Sequence, residues 1–246
     1  MSNKTPARIE LIPWDHTSDE QYERMVTQRV NCGWMSELVG RWRDRAANGT
    51  RTMYWILLAD DHPGRDEQLA LHTSRYPNEV TPVLDTASTL WNSPREASER
   101  AILPIGHVGM GPRTEGNAEI GLPSQGVVWI GPLYVSWALQ NYGLGHATMQ
   151  AIEAMAARPP LNGELTALDA IPKEYQFAPA IMNRHYLPLG NRPAQANETW
   201  YRKQGYEEFH VDPQSYTFID EETGEEKPMP SIYFKKRIER DTKSAE

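Results

Sequence analysis

The sequence predicts one layered α/β domain, or α+β in the looser sense, and three observations carry that expectation. A length of 246 residues with 39% hydrophobic content suits one large core or two small ones, at roughly 150 residues per domain. Apolar runs with period 2 alternate along the chain with runs of period 3.6, as strands and helices packed in layers require. Within residues 127–156 the first period passes into the second across a glycine-containing turn.

The elements follow in order. Residues 7–14 alternate Ile9 and Leu11 on one face and read as a strand stopping at Pro13. From Asp19 to Val30, Tyr22, Met25, Val26 and Val30 recur at helical spacing; Asn31, Cys32 and Gly33 interrupt it, and a second helix runs from about Trp34 to Ala47. Residues 53–59, MYWILLA, fit a strand buried on both faces. The proline-bearing stretch 61–100 shows no sustained period and reads as an insertion. Strands are expected at 102–110 and 127–136, then a helix with Leu144, Ala147, Ala151, Ile152 and Met155 on one face, ended by Pro159 and Pro160. A strand at 164–171 precedes a second irregular insertion, 172–192. A helix from Pro193 to Gln204 ends at Gly205, and strands 206–211 and 231–238 close the domain before a frayed tail, 239–246. The whole chain, 1–246, reads as a single domain.

Composition narrows the function. Lys plus Arg number 25 against 33 Asp plus Glu, a net charge of −8 and the opposite of what a nucleic-acid backbone asks for. Residues 207–226 hold much of the negative charge (Glu207, Glu208, Asp212, Asp220, Glu221, Glu222, Glu225, Glu226) and read as a solvated hairpin tip. No run approaches the roughly 20 apolar residues of a membrane span, and the first residues lack the apolar core of a secretory signal. A cytoplasmic protein is expected, with no membrane and no nucleic-acid partner. The lone Cys32 excludes an internal disulfide framework and a cysteine-rich zinc site; it reads as a small buried hydrophobe, and no metal is expected. Eight Trp against four Phe read as scattered core and surface residues, with a pocket lining as the alternative.

Chemistry concentrates in VVWIGPLYVSWALQNYGLGHATMQAIEAMA, residues 127–156. An apolar strand enters the turn Gln140, Asn141, Tyr142, Gly143, Leu144, Gly145, His146, which opens an amphipathic helix. Glycines there let a ligand approach the backbone, and the first helical N–H groups lie at the positive end of the helix dipole, so the turn reads as an anion cradle, with a plain strand-to-helix turn as the alternative. No Gly-x-x-x-x-Gly-Lys-Ser/Thr occurs, and a dinucleotide fingerprint fails at Thr148.

Gln140, Gly143 and Gly145, preceded by Val135 at the strand end, resemble the central signature of the GNAT superfamily of acyl-CoA-dependent N-acyltransferases. Residues 199–209, TWYRKQGYEEF, resemble its later helix, with Tyr201, Gly205 and Tyr206 in the signature places. The element order matches as well, so the resemblance covers about 7–238 less the insertions. It implies a mixed sheet splayed between its fourth and fifth strands, with acyl-CoA in the cleft. The pyrophosphate would lie on the Gln140–His146 turn and the pantetheine beside Leu133, Tyr134 and Val135, where backbone N–H groups polarise the acyl carbonyl. An amine would attack the thioester directly, and Tyr201 would protonate the leaving thiolate; its bland alternative is packing on a helix face. Two departures stand out: Trp137 replaces a common Pro, and Ala194 replaces a common Asn, with Asn191 or Asn197 as substitutes. The general base is unassigned, with His107, Glu119, Asp169 and Glu174 as positional candidates.

The resulting expectation is transfer of a short acyl group, acetyl first, from acetyl-CoA to a primary amine of a small molecule, with specificity in the two insertions. Rival readings are a catalytically silent acyl-CoA-binding regulator of the same fold, a protein N-terminal or lysine acetyltransferase, and a carbohydrate-stacking Trp surface. The acceptor's identity and the oligomeric state, homodimer included, stay open at this level.

Overall fold

A computed structural model describes residues 6–113, 115–219 and 223–239. Seven strands form one mixed sheet: β1 (Ile9–Pro13), β2 (Thr52–Leu58), β3 (Gly106–Pro112), β4 (Val127–Val135), β5 (Leu165–Ala170), β6 (Glu207–Ile219) and β7 (Glu226–Arg237), in spatial order β1-β2-β3-β4-β5-β7-β6. All neighbours are antiparallel except β4 and β5, which run parallel.

The strand expected to be buried on both faces is so: every residue of β2 is buried. Met53, Trp55 and Leu57 meet Met25 of α1 (Asp19–Cys32) and Val39 and Trp42 of α2 (Val39–Ala47). Tyr54, Ile56 and Leu58 face the other way, joining Val108, Met110, Ile130, Leu168 and Phe234 beneath Leu144, Met149, Ile152 and Ala156 of α4 (Leu144–Ala156). Helix α1 starts at Ser18, whose side chain accepts from the Gln21 N–H, with Asp19 and Glu20 in its first turn. It stops at Gly33, where φ is +90° and a Cβ would lie 2.2 Å from the His185 carbonyl oxygen, so two separate constraints require glycine.

Four expectations about segment boundaries and irregular stretches change. The first insertion contains α3 (Arg65–Arg75) and two short hairpins, one pairing Val83–Leu84 with Ala101–Ile102 and the other Thr89–Leu90 with Ser93–Pro94. No apolar stripe announces α3 because the side chains it buries are Gln68 and His72. The second insertion is a chain of short turns, Lys173–Gln176, Pro179–Ile181, Met182–Tyr186 and Leu187–Leu189, that buries Ile181 and Tyr186 against Met229. The helix expected from Pro193 is shorter: α5 spans Asn197–Arg202, its first N–H accepted by the Gln176 side chain at 2.8 Å, and Gly205 beyond it adopts φ +84° as expected of a helix stop. Strands β6 and β7 extend well past the predicted bounds because bulges at Glu208/His210 and Asp212/Tyr216 break the period-2 alternation. The described acidic residues of that hairpin lie on its outer surface; Asp220, Glu221 and Glu222, and the tail from residue 240, fall outside the described residues.

A polar network around His72 of α3 couples stability to acid pH. His72 is fully buried with Nδ1 2.9 Å from Ser136 Oγ. Burial first, and the Arg24 charge second, lower its pKa from 6.5 to about 4. Between those values the unfolded chain takes up a proton that the native state refuses, so stability falls as pH drops through that window. Burial and Arg29 push His107 the same way, while Glu79, raised by burial, opposes at the lower end. From pH 7.5 to pH 5 the His72 contribution amounts to about 2 kcal/mol. Urea unfolding should show the midpoint falling over this range and His72→Gln flattening the fall; equal midpoints would refute it.

Candidate active site

The parallel pairing of β4 with β5 covers three positions only, Val127, Val128 and Trp129 against Leu165, Thr166 and Ala167. Beyond Trp129, β4 carries a bulge: Val108 pairs with Leu133 and Met110 with Ile130, so Gly131 and Pro132 together face Gly109. Pro132 has no N–H to offer a neighbouring strand. The two strands therefore separate, and among the described residues the edge of β4 from Ile130 to Val135 meets no strand on the β5 side. A cavity of about 1090 Å³ occupies the opening.

Leu133, Tyr134, Val135, Gln140 and Tyr201 all line this cavity. Asn141, Tyr142, Gly143 and His146 lie at the exposed surface where α4 begins, and Leu144 is buried beneath them. Asn141 and Gly143 adopt φ of +70° and +82°, and the first bond of α4 runs from the Ala147 N–H to the Gly143 carbonyl, so the earlier N–H groups have no intrahelical acceptor. The glycine at 145 has a second reason: a Cβ there would sit 3.0 Å from the Trp200 ring. His146 meets Gln204 through Nδ1 at 3.2 Å.

Tyr201 packs edge-on against Trp200 and Tyr206, with ring centroids 5.0 and 5.9 Å away. Burial first, and then the Asp169 charge, push its phenol well above the ordinary value, so it holds its proton throughout the physiological range. Of the four base candidates, only Asp169 lines the cavity. Its Oδ2 accepts from Tyr216 Oη at 2.5 Å and Ser231 Oγ at 3.2 Å, while Oδ1 makes no hydrogen bond among the described residues. His107 is fully buried on the α1 side: Nδ1 donates to Gln28 Oε1 at 2.9 Å and Nε2 faces Arg29 Nη1 at 3.4 Å. Glu119 and Glu174 are exposed and line no part of the cavity.

Three expectations about the lining need correction. Trp34, Trp42, Trp129 and Trp137 all border the cavity, so half of the eight Trp form its wall rather than scattering through core and surface. Insertion 61–100 supplies no lining residue, whereas 172–192 supplies Gln176 and Tyr186, and His185 stacks on Trp34 at 3.7 Å to close the α1–α2 junction. Asn191 is buried and bonded to Arg75 at 2.6 Å, away from the cavity, while Asn197 lines it. Periodicity offers no signal for Arg45, Arg51 and Arg113, which also line it, because they stand at element ends that only the sheet brings together.

No family model matches the chain, and no curated protein does. Solved structures are similar in fold. A protein assigned to the GNAT acetyltransferase family from Desulfovibrio desulfuricans superposes with a TM-score of 0.51 at 10% identity, covering 94% of this chain and 99% of its own. Arabidopsis thaliana NAA60 in complex with acetyl-CoA gives 0.50 at 13%, covering 94% and 98%. With the seven-stranded mixed sheet, its opening between β4 and β5, and α4 rising from the turn beyond β4, the chain has the fold of the GNAT acyl-CoA-dependent N-acyltransferases.

Proposed function

We propose that the protein transfers an acetyl or other short acyl group from acetyl-CoA to a primary amine of a small molecule, with both substrates bound together. The observation that carries this reading is the cavity at the β4–β5 opening, bordered at once by an unpaired strand edge, Tyr201 and Asp169. The turn Gln140–His146 would hold the pyrophosphate on the free N–H groups of α4. Leu133, Tyr134 and Val135 would flank the pantetheine, with main-chain N–H groups of the open edge polarising the thioester carbonyl.

The amine nitrogen attacks the thioester carbon; a C–N bond forms and the C–S bond breaks. An alkylammonium has a pKa of about 10.4, so it must first lose a proton. Asp169 Oδ1 is the acceptor this cavity offers, directly or through water. The ammonium proton passes from Asp169 to solvent, Tyr201 gives its proton to the departing thiolate, and the second proton, shed by the nitrogen as the amide forms, returns through Asp169 and water to the phenol, so the sum is ammonium plus acyl-CoA giving amide, free thiol and one released proton. A phenol with a raised pKa is a reluctant donor; transfer therefore has to be concerted with C–S cleavage.

Thermal melting tests the donor. A ligand of the folded state raises the midpoint by mass action, so acetyl-CoA, longer acyl-CoAs and free CoA should raise it while ATP and NAD do not. Gly143→Val should weaken acetyl-CoA binding on the order of tenfold, since a β-branched residue at φ +82° costs roughly 1–2 kcal/mol and distorts the turn. A midpoint indifferent to every CoA species would sink the reading. Thiol release with an amine panel then separates a transferase from a silent binder.

A further inference from the structure

The end of the cavity remote from the Gln140–His146 turn is basic in a chain whose net charge is −8. Arg51 precedes β2, Arg113 follows β3 and Arg45 lies near the end of α2. Since β2 runs antiparallel to β3 and β3 to β4, these termini gather at the start of β4, while the turn lies beyond its far end. Arg51 reaches Gly131 of β4 through its Nη1, so the stretch from Gly131 to Val135, roughly 13 Å at about 3.3 Å per residue, and the residues beyond it lie between its guanidinium and the turn. These arginines therefore stand apart from the proposed pyrophosphate cradle.

Their charges are uncompensated. Neither Arg45, Arg51 nor Arg113 has a carboxylate within salt-bridge distance among the described residues. Arg51 donates through Nη1 to the Gly131 carbonyl, but its Nε is buried without a partner. Burial first and the Arg45 charge second lower the Arg51 pKa to about 10, and Asp169 offsets this only partly. Arg113 lies over the Trp129 ring at 4.8 Å and Arg29 over Trp42 at 5.4 Å, but Arg29 is committed to the Trp34 carbonyl and His107. Against these stand Asp169 and Glu115 as the acidic lining. Arg51 Nη2 makes no hydrogen bond among the described residues and is not sealed from the cavity as Nε is, so beside the Arg45 charge, only partly offset by Asp169, it is a donor to which the planar fork can bring a carboxylate.

We propose that the acceptor amine also carries a carboxylate, which Arg45 and Arg51 hold at this end of the cavity while its amino group reaches Asp169. The inference rests on the acyltransferase reading and narrows its acceptor to amino acids or similar zwitterionic amines. The carboxylate does no chemistry; it orients the nucleophile, and an amine lacking it leaves the Arg51 guanidinium without an anion.

The test uses the full chain, acetyl-CoA and matched acceptors: amino acids, their carboxamides, and alkylamines of the same length, read by thiol release. The acids should exceed their carboxamides at least tenfold in kcat/KM. Arg45→Gln, on an exposed helix position, and Arg51→Gln should each raise KM for the acid about tenfold or more. They should pull the acid-to-amide ratio toward one and keep the acetyl-CoA melting shift. A purely structural Arg51 would instead depress acid and amide alike, and if Arg51→Gln does not fold, Arg45→Gln decides alone. The proposal is overturned by equal use of acids and amides, by an unchanged ratio in the variants, or by acids going unused while acetyl-CoA still raises the melting point. Absence of any acetyl-CoA shift would be a different signal, striking the acyltransferase reading itself.

Discussion

Tyr201→Phe is expected to lower turnover about 10²-fold or more, the range typical of a lost general acid, while acetyl-CoA affinity stays within about twofold. The substitution is clean because the Tyr201 hydroxyl makes no hydrogen bond among the described residues, and the ring keeps its contacts with Trp200, Tyr206 and Phe234. The direction of its pKa shift adds a second expectation. A phenol held above its ordinary value by burial and Asp169 stays protonated, so kcat should show no loss from its ionisation below about pH 10. Acyl donors with better leaving thiolates should suffer less, since a good leaving thiolate needs little proton help. Turnover equal to wild type would remove Tyr201 from the chemistry and leave it the packing role.

Gly106→Val should be the most destabilising single change in the sheet. Gly106 pairs with Val135 where β3 crosses the end of β4, and a Cβ there would lie 2.1 Å from the Tyr134 carbonyl oxygen and 3.0 Å from the Val135 Cα. Both obstacles are backbone, so no rotamer change relieves them. The strand must move, at a cost of roughly 3 kcal/mol or more, and the strand that moves is the one carrying Leu133, Tyr134 and Val135. Urea unfolding should report the loss, and acetyl-CoA binding should weaken in whatever fraction remains folded. Gly40→Ala is the control: its Cβ would meet nothing nearer than the Tyr22 hydroxyl at 3.7 Å, inside a helix where alanine gains roughly 0.5–1 kcal/mol over glycine. Equal stability of Gly106→Val and wild type would show that β3 and β4 are not in contact as described.

The two helices over β2, the strand buried on both faces, and the passage from β4 through the glycine turn into α4 were all legible because each is a local pattern. Tyr54, Ile56 and Leu58 alternate with Met53, Trp55 and Leu57, and burial on both faces follows from having no polar residue in either set. Helix α3 was not legible, since Gln68 and His72 are buried by bonding to His62 and Ser136 rather than by an apolar stripe. The β6–β7 hairpin was read short because its bulges shift the alternating face partway along. In the site, the strand end, the turn and Tyr201 carried a recognisable spacing; the arginines did not, because they stand at element ends outside any hydrophobic period, and Arg113 lies far along the chain from Arg45 and Arg51.

What the sequence determined by itself was therefore the strands of the main sheet with α1, α2, α4 and α5, their order, and the turn whose N–H groups can face an anion, since hydrophobic period and glycine placement act within a few residues of one another. Only the tertiary structure decided that β4 and β5 part after Trp129, that Asp169 alone of four candidates reaches the opening, and that Arg45, Arg51 and Arg113 converge with Trp129 at its far end. Those relations depend on strand register and on which side chains find partners across the sheet, and a one-residue change of register would turn each of them to the other face.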